Sequence, residues 1–245
     1  MQQLAISCHH GDIHHQNNLA RVERLIETYP EIDIYEIDFI SLDDKIISSH
    51  DYDMNVIKQG STLDEWVRVV VLAHKKILWL DIKENLALYC ACGFEKFDHR
   101  ALFRALQKVR DAATMDLTPY IWIGCQDVTL RYKIFKKNAK LAQPWQMILD
   151  MPTVSSYIAQ RVTPTWARCY LREAVCDDFR ATTYEKFPII SIDQSFFQSR
   201  DEIKEFIRSL GLSSQMVIVL NSFDRSVAPI TMKNHYIVMQ YDYTA

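Results

Sequence analysis

Two short runs, YEID and LDIK, place polar side chains at alternate positions, the spacing that puts side chains on one face of a β-strand. Glu36 and Asp38 therefore share a face, and Asp81 shares a face with Lys83. Converging carboxylates repel one another unless a cation neutralises them, and an all-oxygen set is the ligand type of Mg²⁺ or Ca²⁺. The pattern predicts one divalent cation, Mg²⁺ or Ca²⁺, at Glu36, Asp38 and Asp81. Ordinary solvated strand ends carry the same spacing, so the alternative is an acidic rim without a metal.

Histidines follow two other extended runs. His9 and His10 end the first run, directly before Gly11, and His50 follows residues 45–49. Histidine titrates closest to neutral pH, so a pair of histidines beside a metal suits general acid and general base catalysis, the two functions that phosphodiester cleavage needs. His9 and His50 are the candidate pair, although a single histidine is more often a surface or packing residue.

Strand-like and helix-like runs alternate along the chain, and this alternation must position the polar residues. The strand-like runs are 4–8, 32–40, 45–49, 77–82, 120–123, 146–149, 166–171, 189–192, 216–220 and 236–240, and the helix-like runs are 18–28, 63–74, 98–113, 128–140, 154–161, 173–185 and 200–210. Such alternation predicts parallel strands joined by crossover helices. About eight repeats, without a glycine-rich phosphate loop after the first strand, favour a single (β/α)₈ barrel over an open doubly wound sheet. The strands of a barrel end at one rim, which would bring the polar pairs together.

Bulk composition limits the class of protein. The chain has 245 residues, is 49% hydrophobic and 24% charged, and carries a net charge of −3. These values fit one domain spanning residues 1–245 and give no basic footprint for nucleic acid. No apolar run approaches the ~20 residues of a membrane span, and the start does not resemble a signal peptide, so we expect a cytoplasmic protein. The six cysteines fit buried thiols, because Cys90 and Cys92 are too isolated for a zinc site.

A long segment, residues 84–97, separates the third parallel strand of the predicted barrel from the next helix. Because it leaves the end of a strand, we expect it to extend over the barrel mouth, where long loops are usually functional or flexible. Tyr89, Phe94 and Phe97 form either a wall for a bulky, lipid-like leaving group or a hydrophobic cap on the rim. The general scarcity of exposed aromatic residues favours the cap.

The motifs together resemble a known family. The runs HHG from His9, EID from Glu36 and HD from His50 resemble the H-R-G, E-x-D and H-D signature of the glycerophosphodiester phosphodiesterases, within the phospholipase-C-like phosphodiesterase superfamily. LDIK is similar to that family's E-x-K strand, and VIVLN, ending at Asn221, is similar to its W-T-V-N strand. The specific resemblance covers residues 4–85, and menorin-type relatives of the superfamily share some of it.

This resemblance implies a phosphoric diester hydrolase on a barrel, with one Mg²⁺ or Ca²⁺ and two histidines as general acid and base. The implied substrate is a glycerophosphodiester or a related small or lipid-derived phosphodiester, which would connect the protein with lipid metabolism. The implied residues are Glu36, Asp38 and Asp81 for the metal, His9 and His50 for proton transfer, and Lys83, His10 and Asn221 for phosphate or substrate.

Three departures from the family pattern concern substrate handling: His10 replaces an arginine, Asp81 replaces a longer glutamate, and Ile218 replaces a tryptophan. A catalytically silent barrel that acts as a binding or scaffold protein is the main alternative, because a fold does not fix a function. An isomerase or aldolase would be expected to carry a lone lysine deep within a strand. Lys83 instead follows acidic residues at the predicted rim, where its pKa stays high.

Overall fold

Strands and helices alternate in the computed structural model of the protein, which describes residues 4–9, 19–49, 54–82, 97–125, 144–150, 189–194, 197, 199–209, 217–223, 228–232 and 236–242. The strands are β1 Leu4–His9, β2 Ile34–Leu42, β3 Lys45–Ser48, β4 Ile77–Ile82, β5 Ile121–Cys125, β6 Gln146–Asp150, β7 Ile189–Asp193, β8 Val217–Phe223 and β9 Tyr236–Asp242. The helices are α1 Leu19–Thr28, α2 Met54–Ile57, α3 Leu63–Trp66, α4 His99–Ala112 and α5 Arg200–Ser209. A π-helix, Val67–Ala73, continues α3, and a 3₁₀ turn, Thr118–Tyr120, precedes β5.

Eight of these strands pair in parallel in one sheet. The order is β1-β9-β8-β7-β6-β5-β4-β2, and β1 also pairs with β2 through Ser7–Ile34 and Cys8–Tyr35. β3 extends the sheet beyond β2 as the antiparallel arm of a hairpin. The turn residues Asp43 and Asp44 both have positive φ, 48° and 61°, as a two-residue type I′ hairpin turn requires.

Helices cover one face of the sheet because their apolar residues recur at helical spacing. In α1, Val22, Leu25 and Ile26 are buried, and in α4 the row Leu102, Leu106 and Val109 is buried. These side chains join every second residue of the strands in one large cluster. The backbone N–H groups of Arg100 and Ala101 donate to the side chain of Asp98, which fixes the start of α4.

The opposite face of the sheet holds a smaller apolar cluster built from strand residues alone. We call it the floor layer, and it comprises Ile34, Trp79, Trp122, Ile148, Ile189, Val219 and Val238. All of these side chains are at most 3% exposed. Alternation along each strand therefore separates a helix-facing side from this inner side.

Each predicted strand or helix that falls on described residues is present, with ends that differ by at most three residues, and the α/β class is confirmed. Ile32 and Asp33 precede β2, and Tyr120 ends the 3₁₀ turn rather than starting β5. The predicted helix 63–74 is α-helical to Trp66 and continues as the π-helix, and α2 was not predicted. The predicted strand 166–171, the predicted helices 128–140, 154–161 and 173–185, and residues 84–96 lie outside the described residues. β6 and β7 pair directly, so no further strand separates them. None of the helices described is long and apolar enough to cross a membrane.

Candidate active site

A polar layer lies directly above the floor layer, toward the carboxyl ends of the strands. Two residues beyond each floor residue, the sequence places a polar residue or glycine. Alternation puts Glu36, Asp81, Gly124, Ser191 and Gln240 on the same face as the floor layer, and Asp150 and Asn221 are the corresponding sequence positions on β6 and β8. Asp81, Ser191 and Gln240 of this layer are buried, at 3%, 1% and 0% exposed, whereas Glu36 is half-buried. A change from apolar to polar on seven neighbouring strands marks this end of the sheet as a candidate site.

Two acidic residues meet at the upper edge of this layer. Asp38 of β2 and Asp81 of β4 are register partners on adjacent parallel strands, and they are only 7% and 3% exposed. Neighbouring strands lie about 4.8 Å apart, so the two Cα atoms are close enough for both carboxylates to reach one ion. This juxtaposition is the central feature of the site.

Glu36 occupies the position below Asp38 on the same face of β2. Its carboxylate accepts a short hydrogen bond from the side-chain Nε2 of Gln240, on β9. The contact joins residues 204 positions apart in sequence. Gln240 therefore holds Glu36 from the β9 side, and it is a site residue that the sequence motifs did not indicate. The motifs did not indicate Ser191 either. The sequence signal that could have located both residues is the change from an apolar residue to a polar one two positions further along the strand.

The β2–β3 hairpin brings the chain back to the acidic pair. The backbone N–H of Ser49 donates to the carbonyl oxygen of Asp38, at 3.0 Å. Ser48 is fixed by Ser61, because its backbone N–H donates to the carbonyl oxygen of Ser61 and its Oγ accepts from the Ser61 N–H, at 2.8 and 3.1 Å. His50 is the next residue in the chain after Ser49 and lies outside the described residues.

The first strand carries the other predicted histidine. The backbone of His9 pairs with Asp242 of β9, while Ser7 pairs with Gln240 and with Ile34. One more step along the β1–β2 register brings His9 level with Glu36. His10 and Lys83 lie outside the described residues, and Asn221 is described only as a backbone position, paired with Asp193 and Gln240.

The donor chemistry of the acidic residues fits a hard divalent cation, since Glu36, Asp38 and Asp81 offer oxygen atoms only. Within the ranges that the structure describes, no group of three histidine, cysteine, aspartate or glutamate side chains is arranged to hold a metal ion. The hydrogen bond to Gln240 engages the carboxylate of Glu36 instead. The metal site therefore stays a prediction, with Asp38 and Asp81 as its best-placed pair.

Two residues that were considered for substrate contact pack elsewhere. Ile218 is fully buried in the large helix-facing cluster, on the opposite face of β8 from Val219. The prediction that its departure from the family tryptophan affects substrate handling is therefore wrong, because its side chain faces away from the polar layer. Phe97 is 3% exposed in the same cluster, which confirms packing for this aromatic residue of the segment.

Comparison with solved structures gives three similar folds. A protein of Silicibacter pomeroyi matches with a TM-score of 0.52 and 12% identity, over 90% of this chain and 84% of its own. One of Agrobacterium tumefaciens matches with a TM-score of 0.50 and 11% identity, over 98% and 96% of the two chains. One of Galdieria sulphuraria matches with a TM-score of 0.54 and 11% identity, over 98% and 94%.

All three carry the name glycerophosphodiester or glycerophosphoryl diester phosphodiesterase. The family resemblance inferred from the motifs is thus matched by the fold of this chain over nearly its whole length. No family model matches the sequence, and no curated protein does. At 11–12% identity, the likeness establishes a shared fold.

Proposed function

We propose that this protein is a divalent-metal-dependent phosphodiester hydrolase that acts on a glycerophosphodiester or a related small phosphodiester. The single observation that carries the proposal is the register of Asp38 with Asp81, two enclosed carboxylates at the carboxyl ends of adjacent parallel strands. Such strand ends hold the active site in (β/α)₈ enzymes. The fold shared with three phosphodiesterases supports the choice of reaction.

The proposal includes closure of the eight parallel strands into a (β/α)₈ barrel. Two facts support it: β1 pairs with β2 as well as with β9, and the floor layer draws one residue from each of the other seven strands. In a closed barrel these seven side chains would fill the interior, as layers of branched and aromatic side chains fill such barrels. The polar layer would then line its mouth.

Within this barrel, Asp38, Asp81 and Glu36 would hold one Mg²⁺ or Ca²⁺. When bound, the ion would supply positive charge to the non-bridging phosphate oxygens, where negative charge grows during attack. Glu36 would have to exchange part of its hydrogen bond with Gln240 for the ion. Lys83 would give a second positive contact to phosphate, and His10 and Asn221 are further proposed substrate contacts.

His9 and His50 are proposed to transfer the protons. One takes a proton from the attacking water or hydroxyl as its oxygen bonds to phosphorus, and the other gives a proton to the leaving oxygen as its bond to phosphorus breaks. The backbone of His9 lies beside β2 and β9, and Ser49, which precedes His50, is bonded to Asp38. These backbone positions support the proposal that His9 and His50 flank the acidic residues from two sides.

Hydrolysis of bis(p-nitrophenyl) phosphate and of a glycerophosphodiester tests the proposal, in Mg²⁺, in Ca²⁺ and with a chelator. We expect turnover that the chelator abolishes, and a loss of about 10²–10⁴ in His9→Ala and His50→Ala. His74→Ala, a half-buried histidine at the end of the π-helix, is the matched control and should keep wild-type turnover.

Substrates with an acidic leaving group need no general acid, so p-nitrophenolate should rescue one histidine variant and not the other, which assigns the two proton-transfer functions. His10→Ala should be milder than His9→Ala. A folded wild-type protein without turnover in either ion would contradict the proposal and favour the binding or scaffold alternative.

A further inference from the structure

Gly124 of β5 is the register partner of Asp81, on the side away from Asp38. A Cβ atom at position 124 would lie 2.6 Å from the Nε1 atom of Trp79. Real Cβ atoms do not approach another heavy atom so closely. The indole of Trp79 therefore occupies the space that a side chain at position 124 would need, and this close approach accounts for the glycine.

The indole rises from the floor layer into the polar layer at this point. Trp79 is fully buried, and among the described residues its Nε1–H has no hydrogen-bond partner, so any effect on Asp81 acts through the partial charge of the indole edge and not through a hydrogen bond. Asp81 follows two residues later on the same face of β4. Asp81 therefore has a like charge, Asp38, on one side and the indole edge of Trp79, beside Gly124, on the other.

The chemistry of that edge suits a carboxylate neighbour. An indole nitrogen is a donor only, and the ring edge carries the positive part of the aromatic quadrupole. A buried N–H that finds no acceptor is costly, so its placement next to the acidic pair calls for an explanation. The indole N–H groups of Trp66 and Trp122 also lack a partner among the described residues. The position of Trp79 against Gly124, the register partner of Asp81, distinguishes it, whereas Trp66 lies in the helix-facing cluster.

We propose that Trp79 is a positioning residue for Asp81: its N–H edge, admitted by Gly124, orients the Asp81 carboxylate and offsets part of the negative charge of Asp38. The inference rests on the proposed function, because Asp81 is a proposed ligand of the cation. Groups that orient metal-ligating carboxylates usually change metal affinity 10–100-fold when they are removed.

A measurement without metal or substrate tests whether the Trp79 indole edge senses the charge of Asp81. The five tryptophan indole N–H signals of ¹⁵N-labelled protein are assigned with Trp→Phe variants, and wild type is compared with Asp81→Asn in chelator. We expect the Trp79 signal to move and the Trp66 signal to stay. A Trp79 signal that does not move, or that moves no more than that of Trp66, would overturn the inference.

A second measurement asks whether Trp79 and Gly124 affect cation binding at the site. Ca²⁺ and Mg²⁺ affinities are compared for wild type, Trp79→Phe, Gly124→Ala and the control Trp66→Phe. We expect about tenfold weaker binding in Trp79→Phe and Gly124→Ala, with Trp66→Phe unchanged. Equal affinities in all four proteins would refute the positioning. A wild type that binds neither ion would contradict the proposed cation, while the spectroscopic comparison would still decide whether Trp79 senses Asp81.

Discussion

Replacing Asp81 with a neutral residue should raise the stability of the metal-free protein and abolish its turnover. Asp38 and Asp81 are register partners, nearly fully buried, on strands about 4.8 Å apart. At an effective dielectric constant of about 20, two full negative charges separated by the spacing of adjacent strands would repel by roughly 3 kcal/mol. Asp81→Asn removes this repulsion and keeps the shape of the side chain. Because the new amide must find its own partners, we expect a net gain of about 1–3 kcal/mol in metal-free protein at pH 8.

The gain should be visible as a higher melting temperature in chelator, by about 2–4 °C per kcal/mol for a chain of this size. In excess Ca²⁺ or Mg²⁺, the wild type should have the higher melting temperature of the two proteins. An ion at 100 times its dissociation constant stabilises the wild type by about 2.7 kcal/mol, and Asp81→Asn should gain much less. The assay is thermal unfolding of both proteins, with and without the ion, together with phosphodiester turnover, which Asp81→Asn should lose.

Asp111→Asn is the matched control, since Asp111 is exposed near the end of α4 and accepts a hydrogen bond from Gln107. We expect it to change the free energy of unfolding by less than about 0.5 kcal/mol under both conditions. Two results would refute the reasoning: Asp81→Asn being less stable than wild type in chelator, or wild type and Asp81→Asn gaining equally from the ion.

Other expectations concern the elements that carry the site. Gly60→Ala should lower the free energy of unfolding by about 1–3 kcal/mol and reduce turnover, because the new Cβ atom would lie 2.1 Å from the carbonyl oxygen of Ser48. A variant that unfolds and turns over substrate like the wild type would contradict this packing argument. Thr62 donates twice to the Glu65 carboxylate, chiefly from its backbone N–H, and this lowers the pKa of Glu65. These two hydrogen bonds therefore contribute fully to the free energy of unfolding above the ordinary glutamate pKa. Their contribution is lost as the pH falls through the lowered pKa of Glu65. Glu65→Ala should cost roughly 0.3–1.5 kcal/mol at pH 7 and less near pH 3, and a pH-independent difference would contradict this assignment. Asp43→Asn should stabilise the hairpin slightly, because asparagine tolerates positive φ better in type I′ turns. A clear decrease in the free energy of unfolding, measured by chemical denaturation, would contradict this expectation.

Side chains alternate between the two faces of a β-strand, and this alternation allowed the common face of the acidic residues to be predicted from the sequence. Glu36 and Asp38 alternate with apolar residues, as does Asp81, so the sequence alone assigns them a common face. It does not assign the register between strands. That Asp38 rather than Glu36 lies beside Asp81 depends on how β2 and β4 align, which is set by packing across the whole sheet.

Position 218 shows where the same reasoning fails. β8 is apolar on both faces up to Leu220, as is usual for a parallel strand that is covered on both sides, so alternation gives no signal there. A motif similarity located the strand without telling which of its residues face the site. Gln240 is a comparable case, because its contact with Glu36 joins the last strand to the second.

The polar layer is the part of the fold that stability does not explain. A buried valine, leucine or isoleucine contributes about 1.5–3 kcal/mol, and the positions of the layer give up that contribution on neighbouring strands. A protein that only bound a neutral ligand could satisfy such a layer with hydroxyl and amide groups like those of Ser191 and Gln240. Two adjacent enclosed carboxylates are different, because their mutual repulsion opposes folding and is relieved by positive charge beside them. The pair Asp38 and Asp81 is therefore the feature that supports the proposed metal-dependent hydrolase over the alternative of a binding protein on the same scaffold.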